Sequence, residues 1–184
     1  MEMEQDDAGA NLLLAAQEGD LDSVRGIIAQ EGGRARALID AAITEEGWRA
    51  LDLACERGHG EVVAALLEQG ASPQLVGPNG FTPLMWASRG GHLQIAQRLI
   101  NDRRVDVNAA HASGATALAM ACVQGHVDIV RALHESGAAL DCATHRHKWT
   151  PLHLATLYGQ VDVVRLLLAL GNSPEVAPPN QPSK

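Results

Sequence analysis

Aromatic side chains are scarce in this chain: three tryptophans, one tyrosine and one phenylalanine among 184 residues. That excludes a core built on large rings, so core volume must come from Leu, Val, Ile and Ala, which suits small helices packed closely side by side. No run approaches the roughly 18 consecutive apolar residues that a membrane-spanning helix needs, so no membrane partner is expected. The opening "MEMEQDDAGA" lacks the apolar segment of a secretory signal. Cysteines number only three, Cys55, Cys122 and Cys142. An odd count without a signal argues against a disulfide framework and for a reducing compartment, cytoplasmic or nuclear. Positive charge is also in short supply, 14 Lys and Arg against 22 Asp and Glu, for a formal net charge of -8. A phosphate-backbone binder needs a basic surface, so no nucleic-acid partner is expected.

What the chain does have is enough apolar material for a core, 46%, and that excludes disorder throughout. It also repeats itself. "GWRALDLACERGHGEVVAALL" begins at Gly47, "GFTPLMWASRGGHLQIAQRLI" at Gly80, "GATALAMACVQGHVDIVRALH" at Gly114 and "KWTPLHLATLYGQVDVVRLLL" at Lys148. The intervals are 33, 34 and 34 residues. A fixed period in this range is the signature of a stacked array in which each unit buries its apolar face against its neighbours.

One unit can be read physically. Thr82-Pro83 and Thr150-Pro151 stand where a helix would start, because a Thr oxygen can cap free N–H groups and Pro at the first helical position forfeits no hydrogen bond. Thr116-Ala117 keeps the cap, whereas Arg49-Ala50 keeps neither feature and predicts a less firmly started helix. Each first helix closes at a glycine, Gly58, Gly91, Gly125 or Gly159. A second helix then carries a broad apolar stripe, Val62, Val63, Leu66 and Leu67, repeated at Val163, Val164, Leu167 and Leu168. Connectors such as "GASPQLVGPNG" are rich in turn-forming residues.

The phrase Thr150-Pro151-Leu152-His153-Leu154-Ala155, with "GHVDIVRAL" and "VDVNA", resembles the ankyrin repeat. The resemblance covers about residues 10 to 174. It implies an all-α solenoid of about five helix-turn-helix units with short hairpin loops. The units are 10-46, a capping repeat with an enlarged loop or extra helical turn, then 47-79, 80-113, 114-147 and 148-174. Residues 1-9 read as a flexible acidic lead, and 175-184 as a Pro-rich, extended tail. The last unit predicts an open edge at Val163, Val164 and Leu167, or one covered by the tail. The resemblance also raises hydroxylation of Asn108.

Several residues invite a chemical reading. His59, His92 and His126 recur at one register, but repeat spacing of about 10 Å separates them too widely to share an ion. Cys142, His145, His147 and His153 form the one local group with metal-capable spacing; a zinc site requires fixed tetrahedral geometry, and the repeat pattern puts these residues in structural slots. No nucleophile-base pair or phosphate loop stands outside the repeat pattern, so no metal, cofactor or enzymatic activity is expected.

The aromatics are more informative. The resemblance places Trp48, Phe81 and Trp149 at hairpin tips, and Arg57, Arg89, Gln124, Leu157 and Tyr158 on the concave face of the first helices. Trp86 alone takes a core slot. Trp, Tyr and Arg are frequent interface anchors, and these eight residues are the expected partner-binding set; the bland alternative is that tip aromatics pack on neighbouring hairpins. "HRHK", His145 to Lys148, adds positive charge that suits an acidic partner segment. The expected function is protein binding by a monomeric adaptor or scaffold. The alternative is a stoichiometric inhibitor or regulatory subunit of a partner enzyme.

Overall fold

A computed structural model describes residues 3-41 and 43-171. The tail 175-184 lies outside the described residues. Helices run in pairs: α1 (Met3–Glu18) with α2 (Leu21–Glu31), α4 (Ala50–Arg57) with α5 (Gly60–Glu68), α6 (Pro83–Gly90) with α7 (Leu93–Ile100), α8 (Ala117–Gln124) with α9 (Val127–Glu135), and α10 (Pro151–Leu157) with α11 (Val161–Gly171). The first helices α1, α4, α6, α8 and α10 pack in succession as one layer, and α2, α5, α7, α9 and α11 form the other. The enlarged first connector folds as a short 3-10 turn at Gly32–Arg34 and a further helix, α3 (Ala35–Ala41).

The helix α1 opens at Met3, so the segment read as a flexible lead is helical over most of its length.

Repetition in the sequence becomes repetition in the core. Leu12, Leu51, Leu84 and Leu118 hold one register in successive first helices, and all are buried. In the second helices Val62, Ile95, Ile129 and Val163 do the same. At about 1.5 to 3 kcal/mol per fully buried aliphatic side chain, this inter-repeat packing is the main stabilising term. Val163 and Leu167, expected at an open edge, are instead core residues facing the preceding repeat; Val161 and Leu168 of α11 are the exposed ones.

Local capping follows the sequence, with one substitution. Thr82, Thr116 and Thr150 each accept a backbone N–H from three residues on. At Arg49, where the cap is missing, Asp52 reaches back, accepting from the Arg49 backbone N–H and from Nη1, both at 3.3 Å. That bond is the one His153 accepts from the Thr150 N–H in the last repeat, so α4 keeps this half of the helix start without a Thr.

Polar staples join neighbouring repeats. His59, His92 and His126 each donate Nε2–H to a carbonyl of the preceding repeat, Gln17, Glu56 and Arg89, at 3.0 to 3.1 Å. Gln160 takes over in the last repeat, donating to Val123 O at 2.9 Å. On the loop side Asn108 uses both ends of its amide: Nδ2 donates to Gly137 O and Oδ1 accepts from Ala139 N. Asp40 accepts from Ser72 N in the same way two repeats earlier along the stack.

Candidate partner-binding surface

The hairpin tips are built alike until the last. Backbone bonds close them from Thr44 N to Trp48 O, Gly77 N to Phe81 O and His111 N to Ala115 O, each four residues apart. The fourth, which opens the fifth repeat and is called the fifth tip below, closes from Thr144 N to Trp149 O and is one residue longer. Lys148 fills the glycine slot there with φ 56, a left-handed conformation that a non-glycine residue adopts at some energetic cost. His145 ties this tip to its predecessor, its N–H donating to Ser113 O and its Nδ1 to Ala112 O.

The eight expected binding residues fall into two groups. Trp48 and Phe81 are half-buried, each with its ring centroid 4.6 Å from that of Trp86. The Arg89 guanidinium lies 5.6 Å above the same indole. Trp86, itself buried, therefore gathers the tip aromatics of two repeats and a cation into one cluster, with geometry in which ring contacts and cation–π attraction both contribute. Trp48 thus packs on the first helix of the next repeat, and Phe81 on that of its own repeat and on His111 at the next tip, ring centroids 5.3 Å apart. Arg57 is exposed and pairs with Glu56 at 2.8 Å; Gln124 is exposed.

The second group stands apart in the last repeat. Trp149 is 37% exposed, Leu157 58% and Tyr158 57%. Trp149 stacks on His147, centroids 4.6 Å apart. Together Trp149, Leu152, His153, Thr156 and Leu157 line an open groove of about 390 Å³ along α10. Leu152 and Thr156 had no place in the expected site. Their signal was available: they occupy the core-type slots that buried Leu118 and Cys122 hold one repeat earlier.

The electrostatics elsewhere are those of a scaffold. Asp52 is 1% exposed, and burial, only partly offset by Arg49, pushes its carboxyl up to about 6. Burial pushes the Cys122 thiol up to about 12 and the Cys55 thiol well above its ordinary range. Both are protonated packing groups. No cluster of three or more His, Cys, Asp or Glu able to hold a metal occurs among the described residues. His145, His147 and His153 have separate engagements, the last with Thr150, whose N–H donates to Nδ1 at 3.2 Å. No described helix is long and apolar enough to cross a membrane.

Comparison with known proteins agrees with this architecture. The family model described as ankyrin repeats (3 copies) matches residues 12–111 and 96–177. An E3 ubiquitin-protein ligase, KEG, of Arabidopsis thaliana is 38% identical over 96 residues, 49% of this chain but 6% of that protein. The ankyrin repeat and KH domain-containing protein mask of Drosophila melanogaster is 35% identical over 105 residues, 56% of this chain and 2% of the relative. Human ankyrin repeat domain-containing protein 63 is 38% identical over 60 residues, 33% of this chain and 16% of the relative. The chain thus spans a small fraction of these relatives, and the likeness is one of repeats. Stacked helix pairs, stapled at a constant register and matched by the family model over most of the length, place this chain in the ankyrin-repeat family, whose repeats serve as protein-protein interaction modules.

Proposed function

We propose that this chain is an adaptor that holds one partner on its last repeat, through Trp149, Leu157 and Tyr158, and a second on its acidic N-terminal half. The observation that carries the first surface is the division of the aromatics. Trp48, Phe81 and Arg89 are engaged with Trp86, whereas Trp149, Leu157 and Tyr158 remain exposed, Trp149 and Leu157 lining one groove and Tyr158 capping the end of α10. Large apolar groups grouped at a surface favour a contact site. A stacked array loses little conformational entropy on binding, so a few anchors suffice.

The second surface is supported by charge. Residues 1-68 contain 15 acidic and 5 basic side chains, net -10; residues 69-184 contain 7 acidic and 9 basic, net +2. Opposite ends of one rigid stack thus suit partners of opposite charge. The chain acts as a monomer in the cytoplasm or nucleus in this reading.

Affinity capture from cell lysate tests it, with wild-type protein beside a Trp149→Ala/Tyr158→Ala variant and a Glu45→Lys/Glu46→Lys variant, all checked by circular dichroism. Two different sets of proteins should be lost, one from each variant. An identical set from all three proteins would sink the assignment of both surfaces.

A further inference from the structure

In every repeat before the last, the outer face of the first helix is covered by the next first helix: α4 by α6, α6 by α8 and α8 by α10. On α8 the covered positions include Ala115 and Ala119, which pack with Leu154 of α10, and half-buried Val123 at the edge of that contact. One repeat on, the same register holds Trp149, His153 and Leu157, the residues that line the groove of α10. Among the described residues nothing covers this face. The groove is therefore shaped by the fold to take a helix lying alongside α10.

Charge defines which helix. The groove lining contains no acidic side chain, and between residues 142 and 171 the acidic residue is Asp162, on α11, against Arg146, Lys148 and Arg165. Arg146 and Lys148 are exposed on the elongated tip beside Trp149, at the end of the groove where α10 begins. We propose that the groove binds an amphipathic helix of a partner protein that carries acidic residues at one end. Its apolar side chains, spaced i, i+3 or i+4, and i+7, lie on Trp149, Leu152 and Leu157. Its acidic end meets Arg146 and Lys148. If the helix runs parallel to α10, as the covering helices of the stack do, that end is its N-terminus, where negative charge also favours its own dipole. This inference rests on the reading that the last repeat is a binding end, and adds the chemistry of what binds there.

Panning a phage-displayed library of random peptides, about 16 residues and so some four helical turns, on the immobilised full chain tests it. The expected peptides combine helical apolar spacing with Asp or Glu clustered at one end. Their affinity should fall at least about tenfold with Trp149→Ala/Leu157→Ala or with Arg146→Glu/Lys148→Glu, and several-fold between about 50 and about 300 mM salt. Peptides lost from the Trp149→Ala/Leu157→Ala variant that lack helical spacing or acidic ends would overturn the helix proposal and leave the binding end intact. Peptides indifferent to both variants, or no enrichment, would overturn both. Self-association of the chain abolished by the same substitutions would assign the groove to a second copy. Binding seen only after removal of residues 172-184 would assign it to that segment. Either result overturns the proposal.

Discussion

The imidazole of His92 fills the space that a side chain on Gly58 would need: a Cβ built on Gly58 would lie 2.5 Å from His92 Cε1. Nε2 of the same ring donates to Glu56 O at 3.1 Å. The helix-closing glycine of one repeat and the histidine of the next are thus one device. The pairs Gly19 with His59, Gly91 with His126 and Gly125 with Gln160 repeat it.

This pairing separates two reasons for glycine that sequence alone merges. Gly58 and Gly159 both have left-handed φ, 82 and 70, but nothing lies within 4 Å of a Cβ on Gly159. Gly159→Ala should cost about 1 to 2 kcal/mol, the left-handed penalty of an L-residue. Gly58→Ala adds a clash and should cost about 1 to 3 kcal/mol more. Urea unfolding of the two variants measures the difference; equal losses would mean the histidine yields freely.

A double-mutant cycle identifies the clash itself. His92→Ala alone removes a hydrogen bond and should destabilise by about 1 to 3 kcal/mol, because Glu56 O loses its partner. In the Gly58→Ala background the same change also relieves the overlap, so the two losses should sum to more than the double variant shows, by about 1 kcal/mol. Strict additivity would reject the steric coupling.

Stability should depend on pH through Asp52. Its carboxyl titrates at about 6 in the fold against 3.8 ordinarily, chiefly from burial, so between roughly pH 4 and 6 the folded state holds a proton that the unfolded chain has released. Stability therefore falls as pH rises through that window, by up to about 3 kcal/mol from this group. Asp52→Asn keeps an acceptor for Arg49 N–H and should flatten that part of the profile. Subtracting variant from wild type removes the contribution of the eight histidines; parallel profiles would absolve Asp52.

The thiols should differ in reactivity. Cys55 and Cys122 are buried and their thiols are pushed up by burial, whereas Cys142 is half-exposed and only raised. A thiol reagent at pH 8 should modify one cysteine of the native chain, and all three only in denaturant. Modification of Cys122 without unfolding would show that α8 opens locally.

The repeat period, the helix pairs and the family were legible in the sequence because stacking forces identical side chains into identical registers, as Leu51, Leu84 and Leu118 show. What periodicity conceals is departure from it. Asp52 occupies the slot of His153 and looks like a lost signature, yet it makes the same bond, accepting from the Arg49 backbone N–H as His153 accepts from that of Thr150. The one-residue elongation of the fifth tip is hidden because Lys148 sits in the glycine slot at the regular interval. Trp48 and Phe81 read like Trp149 because all three follow the opening position. Whether these tip aromatics are engaged depends on one first-helix residue, Trp86, which serves Phe81 of its own repeat and Trp48 of the preceding one, and that contact has no period.

The same distinction predicts how the tryptophans divide stability from binding. Trp86 is 3% exposed and holds Trp48, Phe81 and Arg89, so Trp86→Ala should cost about 3 to 5 kcal/mol through a large cavity between α4 and α8. Its indole Nε1 is buried without a partner, so Trp86→Phe removes an unsatisfied donor along with volume and should cost markedly less. Trp149 is more than a third exposed and its one ring contact is with His147. Trp149→Ala should cost less than about 1 kcal/mol. Chemical denaturation of the three variants, beside capture of partners by Trp149→Ala, reads both quantities. A fold that survives Trp149→Ala while partners are lost would make that residue part of a contact surface. If Trp149→Ala instead destabilises as much as Trp86→Ala, the fifth tip holds the last repeat in place and its exposure has another cause.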